Sequence, residues 1–175
     1  MLKKGLFSGL ILVLFSFFVF FSSIKAQEKK EIQKVEYTLP YPGILTDNPL
    51  FLLKRVRDGL LIFLTRDPIK KADLWILVAD KKIEMARLLA ESKKWKFAAD
   101  TALESESDFN NVLVMMSISK KQGAAAPEGF INKAKRSNRK HQEIIAFLLK
   151  RIPEGADRKV VEKAFRKNQT INKAL

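Results

Sequence analysis

Residues 67–121 read DPIKKADLWILVADKKIEMARLLAESKKWKFAADTALESESDFNNVLVMMSISKK, and this stretch decides the fold. Asp67 before Pro68 is a helix start: a carboxylate can accept from the free N–H groups of the first turn, and proline fits that turn. The helix it opens reaches about Lys93. Within it Ala72, Ala79 and Ala86 recur every seven residues beside a second row of Ile76, Ile83 and Ala90, a seam of mostly small side chains that lets a partner helix come close. Trp75, Val78, Leu88 and Leu89 flank the seam. Ser92-Lys93-Lys94 is a tight connection. The next helix, from about Trp95 to Lys121, carries Phe97, Ala98, Thr101, Ala102, Ser105, Phe109, Val112, Leu113 and Met116 on one stripe. So short a link makes the pair an antiparallel hairpin.

Upstream, Tyr37 to Pro49 holds three prolines and Gly43, which keep the chain extended and turning. Asp47 or Asn48 supplies a cap, and Pro49 opens a helix to about Leu64. Leu50, Leu53, Val56, Leu60, Phe63 and Leu64 fall near one face of that helix, with Lys54, Arg55, Arg57 and Asp58 mostly on the other. Downstream, Gln122 to Pro127 stops the third helix and forms a linker. A fourth helix, from about Glu128 to Arg151, has Phe130, Ile131, Ala134, Asn138, His141, Ile145, Leu148 and Ile152 in register. Pro153-Glu154-Gly155 ends it, and a fifth from Ala156 is amphipathic through Val160, Val161, Ala164, Phe165 and Ile171. No segment alternates as a strand does, so the expected class is all-α: a small helical bundle with a long antiparallel hairpin.

Ahead of the bundle, Lys3 and Lys4 precede an uncharged run from Gly5 to Ile24 dominated by Leu, Ile, Val and Phe. Such a run reads as an apolar signal or anchor helix, with the lysines left on the cytoplasmic side. Ala26 is the small residue a signal peptidase needs, which makes 1–26 a signal peptide cut after Ala26 or an uncleaved membrane anchor. Residues 27–36 then form a charged spacer, 37–121 a helical module, 122–127 a linker and 128–175 a basic helical pair. Either fate of residues 1–26 places the remainder outside the cytoplasm.

Having no Cys, the chain has no disulfide, thiolate metal site, thiol nucleophile or lipid-modified cysteine. Its formal charge is +14. The excess is uneven: residues 127–175 hold 13 basic and 5 acidic side chains, whereas residues 27–126 hold 17 and 14. Lys133, Lys135, Arg136, Arg139 and Lys140 crowd the start of the fourth helix, and Arg158, Lys159, Lys163, Arg166 and Lys167 crowd the fifth. Basic helices with an apolar stripe suit an anionic membrane surface or wall polymer. The same field would attract nucleic acid, but export makes that partner unexpected.

Pro42, Gly43, Pro49, Leu50, Phe51, Lys54 and Arg55, followed by Asp67, Pro68, Ala72 and Leu74, form two blocks in fixed order. In these blocks the chain resembles the bacterial domain of unknown function numbered five-six-six-seven, over roughly Tyr37 to Met116. The resemblance implies a helical module in an exported or membrane-anchored bacterial protein. It implies no activity.

The sequence carries little that suggests catalysis. His141 is the single histidine, without a second for a metal pair, and it reads as a residue at the core boundary. Glu104, Glu106 and Asp108 are two apart on a helix, where side chains diverge, so they read as a solvated face. There is no phosphate loop, zinc-protease signature or calcium loop. One hairpin of tetratricopeptide-like composition is too few for a solenoid. The expected function is a non-catalytic binding or scaffolding module of the cell envelope, without metal or cofactor, that meets an envelope protein, an anionic lipid or a wall polymer. A membrane-anchored regulatory sensor and an envelope enzyme of unrecognised type are the alternatives, and nothing in the sequence fixes an oligomeric state.

Overall fold

Asp67 does what its position requires: its Oδ1 accepts from the Lys70 N–H at 2.8 Å, and Pro68 fills the first turn behind it. In the computed structural model, which describes residues 35–175, five helices follow from such local signals. They are α1 (Phe51–Leu64), α2 (Pro68–Glu91), α3 (Trp95–Lys121), α4 (Glu128–Arg151) and α5 (Ala156–Ala174). No strand occurs among the described residues, and the class is all-α. The apolar run, the cleavage point after Ala26 and most of the charged spacer lie outside the described residues.

Helix ends explain the turns. The second helix stops at Glu91, two residues earlier than its pattern predicts, because Lys93 takes a left-handed φ of 58°. That conformation lets the Lys94 N–H reach back to the Leu89 carbonyl at 2.9 Å, closing the helix and reversing the chain. At the end of α3, Gly123 takes φ 83° and the Ala124 N–H returns to Ser119 O at 3.0 Å. Here glycine bears no steric penalty for a positive φ. The start of α1 differs from expectation: no side chain caps it, Asn48 Oδ1 accepts from the Leu50 N–H at 2.9 Å just outside, and Asp47 pairs with Lys94.

The seam read from the sequence is the core. Ala72, Ile76, Ala79, Ile83, Ala86 and Ala90 are all fully buried. One apolar cluster joins the end of α2 and the start of α3 to Ile145, Leu148 and Ile152 of α4 and to Val161 and Ala164 of α5. A second joins the start of α2 to Phe109 and Val112 of α3, Ala134 of α4 and Ile171 of α5. These memberships fix the topology. The hairpins α2–α3 and α4–α5 run antiparallel within themselves and lie side by side, with α2 against α4 and α3 against α5. The basic helical pair is therefore half of a four-helix bundle and packs directly on the first hairpin. Phe97 departs from the predicted stripe and is 46% exposed.

Residues 35–50 run across this bundle as a strap. The Val35 N–H donates to Glu143 Oε2 at 2.9 Å, the Tyr37 hydroxyl to Asp80 Oδ2 at 2.6 Å, and the hydroxyls of Thr46 and Thr101 meet at 2.7 Å. Leu39 and Leu45 settle against the first apolar cluster. The strap delivers α1, whose Lys54 ammonium donates back to the Pro42 carbonyl. Helix α1 has no buried residue. Its half-buried side is Phe51, Lys54, Asp58 and Ile62, so the leucine-rich face points away from the bundle.

Candidate functional site

Between the two apolar clusters lies a buried polar layer, built from one position on each bundle helix and a neighbour or two. His141 of α4 is fully buried and stands between two carboxylates. Its Nε2 is 3.0 Å from Asp80 Oδ1 of α2, and its Nδ1 is 2.8 Å from Glu106 Oε1 of α3. Tyr37 and Ser137 hydroxyls also donate to Asp80, and the Asn168 amide of α5 donates to Glu106 at 3.1 Å. Ser105 donates to the Ala79 carbonyl at 2.8 Å, tying α3 to α2 beside the imidazole. The Phe109 ring meets His141 edge-on, with centroids 5.2 Å apart.

Burial by itself would strip the imidazole of its proton, but the Glu106 charge and the hydrogen bonds to Asp80 and Glu106 outweigh it and raise His141 to about 9. At neutral pH the ring is an imidazolium donating from both nitrogens. Burial and the neighbouring Asp80 push the Tyr37 phenol well above its ordinary value, so it remains a donor. The layer is an ion triad closed by neutral donors.

Such a layer contains acid–base groups, yet its geometry suits structure. The two carboxylates occupy opposite nitrogens of one ring, so they cannot converge on one ion, and among the described residues no group of three or more metal-binding side chains forms. His141 and Glu106 have no exposed surface through which to meet a substrate. His141 thus lies deeper than the core boundary its sequence position suggests. Glu106 is a correction to the solvated reading, because α3 turns it inward to the imidazole. Glu104 and Asp108 share Lys82 instead, at 3.0 and 2.8 Å. Burial raises the Asp108 carboxyl while Lys82 works to lower it.

A second feature is a cleft of about 240 Å³ between α1 and α2. Phe51, Ile62, Trp75 and Met85 supply its apolar wall, and Lys54, Arg55, Lys81 and Lys82 outnumber Asp58 and Asp108 around it. Burial lowers Lys54 to about 8. Of the residues shared with the family motif, Phe51, Lys54 and Arg55 line this cleft, Pro42 is buried beneath Lys54, and Asp67 and Pro68 start α2. Leu50 is exposed, Pro49 precedes it and Gly43 forms a turn with φ 69°.

The third feature is the basic surface. Arg136 and Arg139 of α4 and Lys159, Lys163 and Arg166 of α5 are exposed, and Lys135 is half-buried. The others are engaged: Lys133 with Asp73 at 2.5 Å, Lys140 with Glu143 at 2.8 Å, Arg158 with Glu154 at 3.0 Å and Lys167 with the Ser107 hydroxyl at 2.9 Å. The cationic surface is narrower than the sequence suggests. It is the part of each helix opposite Ala134, His141, Val161 and Ala164, which face the core.

A strap, a lone amphipathic helix and a four-helix bundle keyed by a buried imidazolium define a small all-helical module. The chain belongs to the family described as Domain of unknown function (DUF5667), which it matches over residues 43–155. That match takes in all of α4, well past the Met116 limit of the two recognisable blocks, and stops at the turn before α5. No curated protein and no solved structure matches the chain.

Proposed function

We propose that this chain is a non-catalytic binding or scaffolding module of the bacterial cell envelope. In this reading residues 1–26 export it or tether it to the membrane, and the basic faces of α4 and α5 hold it to an anionic lipid or wall polymer. The observation that carries the reading is the division of charge by depth. The titratable groups with unusual partners are sealed inside as an ion triad, while Arg136, Arg139, Lys159, Lys163 and Arg166 stay at the surface. A surface of one sign favours polyanions and weakens with salt.

The test joins address to binding. A reporter fused after Leu175 should be active outside the cytoplasm, and a cytoplasmic signal would overturn the envelope assignment. Retention of the chain on isolated polyanionic wall material should fall steeply between low and high salt. It should fall again when Arg136, Arg139 and Lys163 are each changed to Glu. Retention that ignores both changes would remove the basic helices from the function.

A further inference from the structure

The apolar side of α1 is turned outward, and we infer that it is a lipid-docking surface that lies in the interfacial zone of an anionic bilayer. At 100° per residue, Leu52, Phe63, Val56, Leu60, Leu53 and Leu64 follow one another around an arc of about 120°. All six are exposed, Leu53 at 69% and Phe63 at 78%. A contiguous patch of this kind on a soluble surface marks an interaction site. Nothing in the described residues covers it, because α1 meets the bundle through Phe51, Lys54, Asp58 and Ile62 on its other side.

Charge chooses the occupant. On a helical projection Arg57, which pairs with Asp58 at 2.7 Å but stays 68% exposed, lies about 20° beyond one edge of the arc and Arg55 about 60° beyond the other. Cations at both borders of an apolar stripe are the pattern of a helix lying flat in the headgroup layer, where their stems follow the stripe and their heads reach phosphate. Between Phe51 and Lys71 six cations stand against two carboxylates. A second copy of this chain would bring the same cations to the same borders and repel, whereas anionic headgroups neutralise them. The cleft behind the helix, with its excess of lysine and arginine, adds to the field.

This inference rests on the reading that the chain works at the envelope, but it does not depend on the basic faces of α4 and α5. The absence of cysteine makes a site-specific test direct. Val56→Cys, Phe63→Cys and, as a control on exposed α3, Ser117→Cys are each labelled with an environment-sensitive fluorophore in the full chain. They are then reconstituted into vesicles of phosphatidylglycerol and phosphatidylcholine.

Lipid-borne spin labels should quench positions 56 and 63 and spare 117, while aqueous iodide should do the reverse. Leu53→Gln and Leu60→Gln should each weaken docking roughly tenfold, read at position 56. Because both leucines are exposed, the melting temperature should hold and show that the fold has survived. Equal access of iodide to 56, 63 and 117 would overturn lipid docking. So would protection from iodide without lipid quenching, which indicates a protein cover, and energy transfer between labelled copies would identify that cover as a second chain. If charge reversal on α4 and α5 leaves wall retention unchanged while 56 and 63 remain lipid-quenched, the polymer-binding reading fails and this one stands.

Discussion

Helix α1 and the four-helix bundle invert one another. The bundle hides Asp80, Glu106 and His141 among alanines and isoleucines, whereas α1 displays Leu53, Leu60 and Phe63 and turns Lys54 and Asp58 toward the protein. In the bundle the inversion is internally compensated. Each buried charge has a partner of opposite sign or a hydrogen-bond donor within about 3 Å. On α1 no partner is present in the described residues, and only an external apolar phase can offset the exposure. Polar inside and apolar outside therefore mean different things: the first is a means of specifying one packing, the second an unfilled contact.

The largest effect should come from His141→Leu. It leaves the Asp80 and Glu106 carboxylates buried without their shared cation, and breaking such a set by one member costs about 3–5 kcal/mol. Urea titration checks this, and a loss under 1 kcal/mol would make the layer incidental. The pH dependence comes next. His141 sits near 9 in the folded chain against an ordinary value of 6.5, so the folded state binds its proton more tightly. Its contribution is complete below pH 6.5 and is lost as pH rises through 9, a fall of up to about 3 kcal/mol. Lys54, lowered to about 8, acts in the opposite direction. The informative measurement is therefore the difference in melting profile between the wild type and His141→Gln across pH 6–10, which should narrow toward alkaline pH. The smallest effect should be on α1: Leu53→Ser and Phe63→Ser in the absence of lipid should change stability by no more than about 0.5 kcal/mol. A loss like that of a core leucine would mean that α1 is covered in the folded chain and would end the contrast.

Most of the helical framework was legible in the sequence because its punctuation is local. Asp67, Pro68, Gly123 and Pro153 act within one turn of chain, and the seven-residue recurrence of Ala72, Ala79 and Ala86 names a buried seam whatever lies opposite. The polar layer was legible only from one side. Ser105, Asn138 and His141 could be seen interrupting apolar stripes, but the imidazole's partners Asp80 and Glu106 could not be assigned. Spacing along one helix places a carboxylate around the axis and says nothing of which residues on α2, α3 and α4 reach the same height. For α1 the arc was visible and its direction was not. That direction is set by the strap, through contacts such as Lys54 with Pro42 and Thr46 with Thr101, which span 12 and 55 positions of sequence.

The strap has a mechanical consequence. Tension arriving from the N-terminal side enters at Val35, whose amide is bonded to Glu143, and two residues later meets the Tyr37 hydroxyl bound to Asp80. A chain pulled from that end would load α4 first and then the carboxylate that holds the imidazolium, before any apolar contact of the bundle had to part. The second rupture would release the phenol from Asp80, a carboxylate otherwise shared among that phenol, a serine and a histidine. Force applied from the N-terminal side of Val35 would thereby become an electrostatic change at the centre of the bundle, over a lever only a few residues long.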